Sequence, residues 1–165
     1  MHWFRFAILV IVTAILQSGI VDLFAIGTVD VKPQLLLILL VFFAIYCNRF
    51  EAIIASFVIG FCADIIVPTM GPYTLSFGIF GTLMAYLNSV ISVRKMLYQF
   101  FAILIIGVLT GLSAYFFSSL KGLSIASGIQ SVIFYRSLYS GVIGPFVFLP
   151  IAWWMRIKTH HFRYR

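Results

Sequence analysis

Long apolar runs, separated by a few polar residues, are the feature that most constrains this sequence. Residues 34–47, 73–93 and 96–120 contain no charged side chain at all. Over the whole chain 63% of residues are apolar and only 9% are charged, whereas a soluble domain is about half apolar and about a quarter charged. A water-soluble globular domain is therefore excluded, and so is a disordered chain, which needs a polar composition. The sequence predicts an integral membrane protein.

The length limits the number of membrane spans. A spanning helix takes about 20 residues, and the chain has 165. We predict an all-α protein with one transmembrane domain, residues 1–165, folded as a compact bundle of six helices. The predicted spans are residues 4–21, 34–47, 51–67, 73–93, 96–120 and 132–155. The first is expected to stay in the protein because no small-x-small cleavage site follows it.

The basic residues predict the orientation of this bundle. Six spans place both termini on the same side, and cytoplasmic loops carry an excess of Lys and Arg. One side receives eight of the 11 basic residues, namely Arg5, Arg49, Arg94, Lys95, Arg156, Lys158, Arg163 and Arg165. The other side receives at most Lys32, Lys121 and Arg136. Both termini are therefore predicted to be cytoplasmic, and the net charge of +7 indicates topology rather than nucleic-acid binding.

The sequence offers little for catalysis or for a cofactor. The three histidines, His2, His160 and His161, lie at the termini. No zinc-protease motif, nucleophile elbow, phosphate-binding loop or pair of intramembrane carboxylates is present. Cys47 and Cys62 lie in apolar stretches and are predicted to be packing residues. We expect a protein that is not an enzyme and that carries no cofactor or metal.

Asp64 is the charged residue that stands out. It follows Glu51 by about 20 Å along the third span, which places it in the outer part of the hydrocarbon core, where a carboxylate costs about 2–3 kcal/mol. We expect it to pair with Lys32, with Arg136 or with the N-terminus of the second helix. Two alternatives remain at this point: contact with outer-leaflet water, or a proton or ion relay.

Small residues recur at helical spacing near Asp64 and in the fifth span. Ser56, Gly60 and Asp64 share one face of the third span. Gly107 and Gly111 form a G-x-x-x-G pattern, which lets helix backbones approach closely in membranes. Such faces either pack inside the bundle or dock a partner's membrane helix, and the docking hypothesis favours the fifth span. Pro145 and Pro150 are expected to bend the sixth span.

The order and spacing of these residues resemble the MreD family, the small multi-span subunit of the bacterial rod-shape system, or elongasome. The resemblance is clearest over residues 31–90 and is carried by Pro33, Ser56, Gly60, Asp64, Gly71 and Pro145, with a basic tail after the last span. Two positions depart from the family: Gln34 replaces an Asp or Asn, and Ser56 replaces a Gly that is common there.

The resemblance implies a non-enzymatic membrane subunit for cell shape and lateral peptidoglycan synthesis in the bacterial cytoplasmic (inner) membrane. It implies a fold similar to the substrate-binding component of energy-coupling-factor transporters. The implied partners are a single-span MreC-like protein, bound directly, and MreB, RodA and a class B penicillin-binding transpeptidase in the same complex.

The competing hypothesis is a vitamin-like ligand-binding component of a transporter, which needs a pocket with placed polar groups. The polar candidates for such a pocket, Gln17, Asp64, Asn88 and Gln130, are scattered along the sequence. The Ala-x-x-x-Ala motif of transporter components is also absent from the first span. Both observations favour the scaffold.

Overall fold

The computed structural model describes residues 3–19, 33–66, 71–90, 96–120 and 129–155, and regular structure in these residues is entirely helical. It consists of six helices: α1 (Trp3–Gly19), α2 (Leu35–Tyr46), α3 (Arg49–Ile66), α4 (Pro72–Val90), α5 (Met96–Leu120) and α6 (Ile129–Met155). Each helix coincides with one predicted span to within a few residues. Lys32, Asp22, Asp30 and the basic tail lie outside the described residues.

Two of the described helices are long and apolar enough to cross a bilayer unaided, at Leu97–Phe117 and Ser131–Met155. The helices α1 and α2 are also apolar but shorter. The all-helical, membrane-type architecture is therefore as predicted, whereas membrane crossing by all six helices stays a prediction.

Helix α2 is the centre of the fold. Its side chains from Leu36 to Phe43 are all 0% exposed, and it contacts each of the other five helices. Its sequence is compatible with this position, because a helix that is apolar on every face can pack against apolar side chains on every face. With 12 residues it is about 18 Å long, shorter than a hydrocarbon core of about 30 Å.

Side-chain contacts fix the relative directions of the helices. Phe6 packs edge-on against Phe43, with ring centroids 5.0 Å apart, while Gln17 reaches Leu36, so α1 and α2 are antiparallel. Phe148 packs against Phe42 at 5.3 Å and Ser140 reaches Gln34, so α2 and α6 are parallel.

The remaining neighbours also alternate in direction. Ser56 lies near Gly81 and Asp64 near Tyr73, so α3 and α4 are antiparallel. Gly107 lies near Ser137 and Gly111 near Ile133, so α5 and α6 are antiparallel as well. This up-and-down arrangement agrees with an even number of crossings.

Candidate functional site

One face of α3 lies against α4 at very short range. Ser56, Gly60 and Asp64 are all buried, the first at 1% and the last at 5% exposed. A Cβ atom on Gly60 would lie 2.8 Å from Thr74 Cα and 3.0 Å from the Tyr73 carbonyl oxygen. Only glycine permits this approach, and the approach is what brings Asp64 to the start of α4.

Asp64 caps the N-terminus of α4. Its Oδ1 accepts the Tyr73 N–H at 3.1 Å, and its Oδ2 accepts the Thr74 N–H at 2.6 Å and the Thr74 hydroxyl at 2.5 Å. The first N–H groups of a helix have no partner within the helix, and a carboxylate there is also favoured by the helix dipole. The acid therefore accepts from two backbone N–H groups and one hydroxyl at the same helix end.

The chain before α4 explains why the cap comes from another helix. Gly71 has φ 110°, a conformation that glycine adopts readily, and its carbonyl accepts the Leu75 N–H as the first bond of the helix. Glycine has no side-chain acceptor, and Pro72 at the first helical position has no N–H to satisfy. Tyr73 and Thr74 are thus the donors that need an external acceptor.

This geometry corrects the sequence-based pairing of Asp64. The predicted partner at the N-terminus of α2 is wrong, because the carboxylate binds the N-terminus of α4. Arg136 forms no ion pair with Asp64 in the described part of the chain, and the buried Arg136 Nε has no acceptor there. Lys32 lies outside the described residues.

Ser56 lies one helical turn before Gly60 on α3 and extends the contact between α3 and α4. A Cβ on Gly81 would lie 2.1 Å from the Ser56 Oγ and 2.6 Å from the Ser56 Cβ. The Ser56 side chain therefore occupies the space that a side chain at position 81 would need. The hydroxyl donates to the Ala52 carbonyl of its own helix at 2.7 Å. Sequence reasoning did not assign Gly81 to this contact, and the available signal was the four-residue spacing of Ser56 and Gly60 on one helix face.

The N-terminus of α2 is satisfied in the same way by residues that sequence reasoning did not assign to it. Pro33 is buried just before this helix. The Gln34 N–H donates to Ser140 Oγ at 2.8 Å, and the Leu36 N–H donates to Gln17 Oε1 at 2.9 Å. The signal was present, since a buried apolar helix needs external acceptors for its first N–H groups.

The G-x-x-x-G pattern of α5 is used within the chain. A Cβ on Gly107 would lie 2.8 Å from Ser137 Oγ and 2.9 Å from Leu37 Cδ2, and one on Gly111 would lie 2.5 Å from Ile133 Cγ2. Helices α2 and α6 therefore occupy this face. The hypothesis that it docks a partner's helix is wrong, because no space is left for one.

Pro145 lies in the middle of α6 and is buried. Because proline has no N–H, the Gly141 carbonyl loses its usual donor at this point. Gly141 and Gly144 bring α6 against Phe100 and Ile103 of α5, and a Cβ on Gly144 would lie 2.2 Å from Ile103 Cδ1.

Most hydroxyl groups inside the bundle are turned back to their own helix. Ser76, Thr110 and Ser137 each donate to the carbonyl four residues earlier, at 2.7–2.8 Å. No cluster of three His, Cys, Asp or Glu side chains that could hold a metal occurs among the described residues. The polar groups of the site satisfy helix ends and helix contacts, which is a structural arrangement.

A comparison with protein-family models identifies the family of this chain. The family model for rod shape-determining protein MreD matches residues 1–158. Searches of curated relatives and of solved structures gave no match.

Proposed function

Because the chain belongs to the MreD family of rod shape-determining membrane proteins, we propose that it is a non-enzymatic subunit of the machinery for lateral peptidoglycan synthesis. In this role it binds and positions a single-span MreC-like partner. MreB, RodA and a class B penicillin-binding transpeptidase act in the same complex. The observation that carries the proposal is the family match over residues 1–158.

The location that goes with this function is the bacterial cytoplasmic membrane, crossed six times with both termini in the cytoplasm. The eight basic residues assigned to one side support this orientation. The alternating helix directions are compatible with it.

The fold favours a scaffold over a ligand-binding transporter component. The space at the centre of the bundle is filled by α2, whose buried side chains are Leu, Ile, Val and Phe. A vitamin-like ligand would need polar groups that converge on a pocket. Here Gln17, Asp64 and Ser140 are instead bound to helix N-termini.

The exterior of the bundle is the surface on which a partner helix would lie. Large apolar side chains are exposed along α3, α4 and α5, for example Phe61, Ile65, Leu75, Ile79, Leu83, Phe101, Ile105, Leu112 and Phe116. The glycines of these three helices lie against other parts of the bundle, so close packing of a partner there would need small residues on the partner's own helix.

The proposal is tested by purifying the full-length chain together with an MreC-like single-span protein in mild detergent and in lipid nanodiscs. We expect a stable complex that survives gel filtration. A chain that elutes without the partner in both media, and that retains a vitamin-like ligand, would establish the transporter hypothesis instead.

Photo-crosslinking locates the contact. A crosslinking amino acid at Phe61, Leu83 or Phe101, each exposed on a different helix, should capture the partner from one helix face only. The matched control is the same amino acid at Phe77, a large side chain that is fully buried in the bundle. Capture at none of the exposed positions would exclude the outer faces of α3, α4 and α5 as the contact surface.

Reporter fusions test the orientation independently. A fluorescent protein at the C-terminus should be bright, and alkaline phosphatase there should be inactive, because the tail is predicted to be cytoplasmic. The opposite pattern would reverse the topology.

A further inference from the structure

A groove runs between α1 and α6 on the outside of the bundle. It encloses about 590 Å³. Leu9, Val12 and Leu16 of α1 form one wall, Val147 and Ile151 of α6 form the other, and Leu35 lies between them. The groove exists because α1 and α6 contact each other less than either contacts α2.

The walls of this groove suit a flexible chain better than a helix. Membrane helices pack closely where small residues let their backbones approach. The groove instead presents branched aliphatic side chains and indoles, and its only hydroxyl, on Thr13, donates to the Leu9 carbonyl at 2.7 Å. A lipid acyl chain can adapt to such a surface without a small-residue face.

One end of the groove is marked by aromatic residues. Trp153 and Trp154 line it near the end of α6, and both are exposed, at 82% and 46%. Because α1 is antiparallel to α2 and α2 is parallel to α6, the start of α1 lies at this same end, and it carries Trp3. These are the three tryptophans of the chain. Tryptophan is enriched at the membrane–water interface, so this end lies at headgroup level.

Arg5 places a positive charge at this end of the groove, which favours an anionic ligand group. It lies on the same face of α1 as Leu9, Val12 and Leu16, one turn nearer the interface. Its Nη1 is buried but has no hydrogen-bond acceptor in the part of the chain that the structure describes. Because the Arg5 side chain as a whole is only partly buried, a phosphate oxygen at headgroup level would accept a charge-assisted hydrogen bond from its guanidinium.

We propose that the α1–α6 groove is a binding site for an anionic phospholipid of the cytoplasmic leaflet. One acyl chain lies between the two helices, and the phosphate accepts a hydrogen bond from Arg5. Four basic residues follow Met155 within ten positions of the sequence, a pattern typical of segments that bind anionic lipid. The inference rests on the proposed membrane orientation and not on partner binding.

The test measures which lipids the purified full-length chain retains. The chain is reconstituted in nanodiscs of mixed phosphatidylglycerol and phosphatidylcholine, transferred to detergent, and analysed by native mass spectrometry. We expect phosphatidylglycerol to be retained above its share of the mixture. Arg5→Gln should lower its apparent affinity roughly tenfold, the value of one charge-assisted hydrogen bond, and Arg5→Lys should restore most of it.

Arg49→Gln is the matched control, because Arg49 is exposed on α3 and stacks over the Tyr86 ring at 5.5 Å, away from the groove. This variant should retain lipid like the wild type. If Arg5→Gln fails to fold, Val12→Trp replaces it, since Val12 is exposed and a larger side chain there fills the groove from outside. It too should reduce retention.

A phosphatidylglycerol with a photoreactive acyl chain then locates the lipid. Labelling concentrated on α1 and α6 supports the proposal. Equal retention of both lipids, or labelling spread evenly over α3, α4 and α5, overturns it. Capture of the MreC-like partner by a crosslinker at Val12 also overturns it, by assigning the groove to a helix. Because the lipid measurements use the chain alone, their failure leaves the partner-binding proposal standing.

Discussion

The Asp64 carboxylate on α3 accepts two hydrogen bonds from Thr74 on α4, one from the backbone N–H at 2.6 Å and one from the side-chain hydroxyl at 2.5 Å. This contact joins the buried one of the two described acids to the start of a helix that has no cap of its own. The role of the acid is therefore to complete a helix end inside an apolar bundle.

Removing this carboxylate should destabilise the bundle. In Asp64→Ala the Tyr73 and Thr74 N–H groups lose their acceptor, which we expect to cost roughly 1–3 kcal/mol of unfolding free energy. Asp64→Asn keeps one oxygen and should lose less. Thermal unfolding in mild detergent measures both, and Thr74→Val, which removes only the hydroxyl, is the matched comparison. Wild-type stability in Asp64→Ala would refute the capping role.

Gly60 should not tolerate a side chain. In Gly60→Ala the new Cβ would lie 2.8 Å from a backbone atom of α4, so α3 and α4 must separate, and we expect a loss of roughly 1–3 kcal/mol. Gly19→Ala is the control, because no atom of the described residues lies within 4 Å of its Cβ position. The same unfolding assay should show no loss there. Equal behaviour of the two variants would contradict the close approach.

Ser56 and Gly81 should be energetically coupled. Gly81→Ala places a Cβ 2.1 Å from the Ser56 Oγ and should be destabilising, whereas Ser56→Gly removes the clashing atoms. The double variant should therefore lose less unfolding free energy than the two single variants together, with a coupling energy of about 0.5–3 kcal/mol. A double-mutant cycle measures this quantity, and strict additivity would show that the two residues do not meet.

Gln17 should matter more than its neighbour Ser18. Gln17→Leu leaves the Leu36 N–H without its acceptor at 2.9 Å, at an expected cost of about 1–3 kcal/mol. Ser18→Ala removes an exposed hydroxyl that binds only the Ile15 carbonyl of its own helix, so it should be neutral. Hydrogen exchange at the Leu36 amide should also accelerate in Gln17→Leu alone.

The helices could be predicted from the sequence, whereas the residues that contact each other between helices could not. Apolar runs such as residues 34–47 and 96–120 set the elements directly, and turn residues such as Gly71 and Pro72 set the ends. The face of Ser56, Gly60 and Asp64 was also visible as a spacing. A helix N-terminus was among its expected partners, but the sequence did not show that the backbone N–H groups of α4, rather than those of α2, would lie beside Asp64.

Contacts distant in sequence were the other gap. Gly107 and Gly111 were interpreted as a face available to a partner's helix, because the sequence does not show that Ser137 and Ile133 cover them. Ser140 could not be linked to α2 for the same reason, since 106 residues separate it from Gln34. A sequence pattern describes one helix face, whereas packing is a property of two.

The central position of α2 has a consequence for biogenesis. The Ser140 acceptor for its N-terminus belongs to α6, 106 residues further along the chain than Gln34. Until α6 is inserted, one side of α2 must be covered by lipid or by the insertion machinery, with a backbone donor still unsatisfied. Closure of the bundle around α2 thus waits for α6, and a chain truncated before α6 should be recognised as unfinished and degraded.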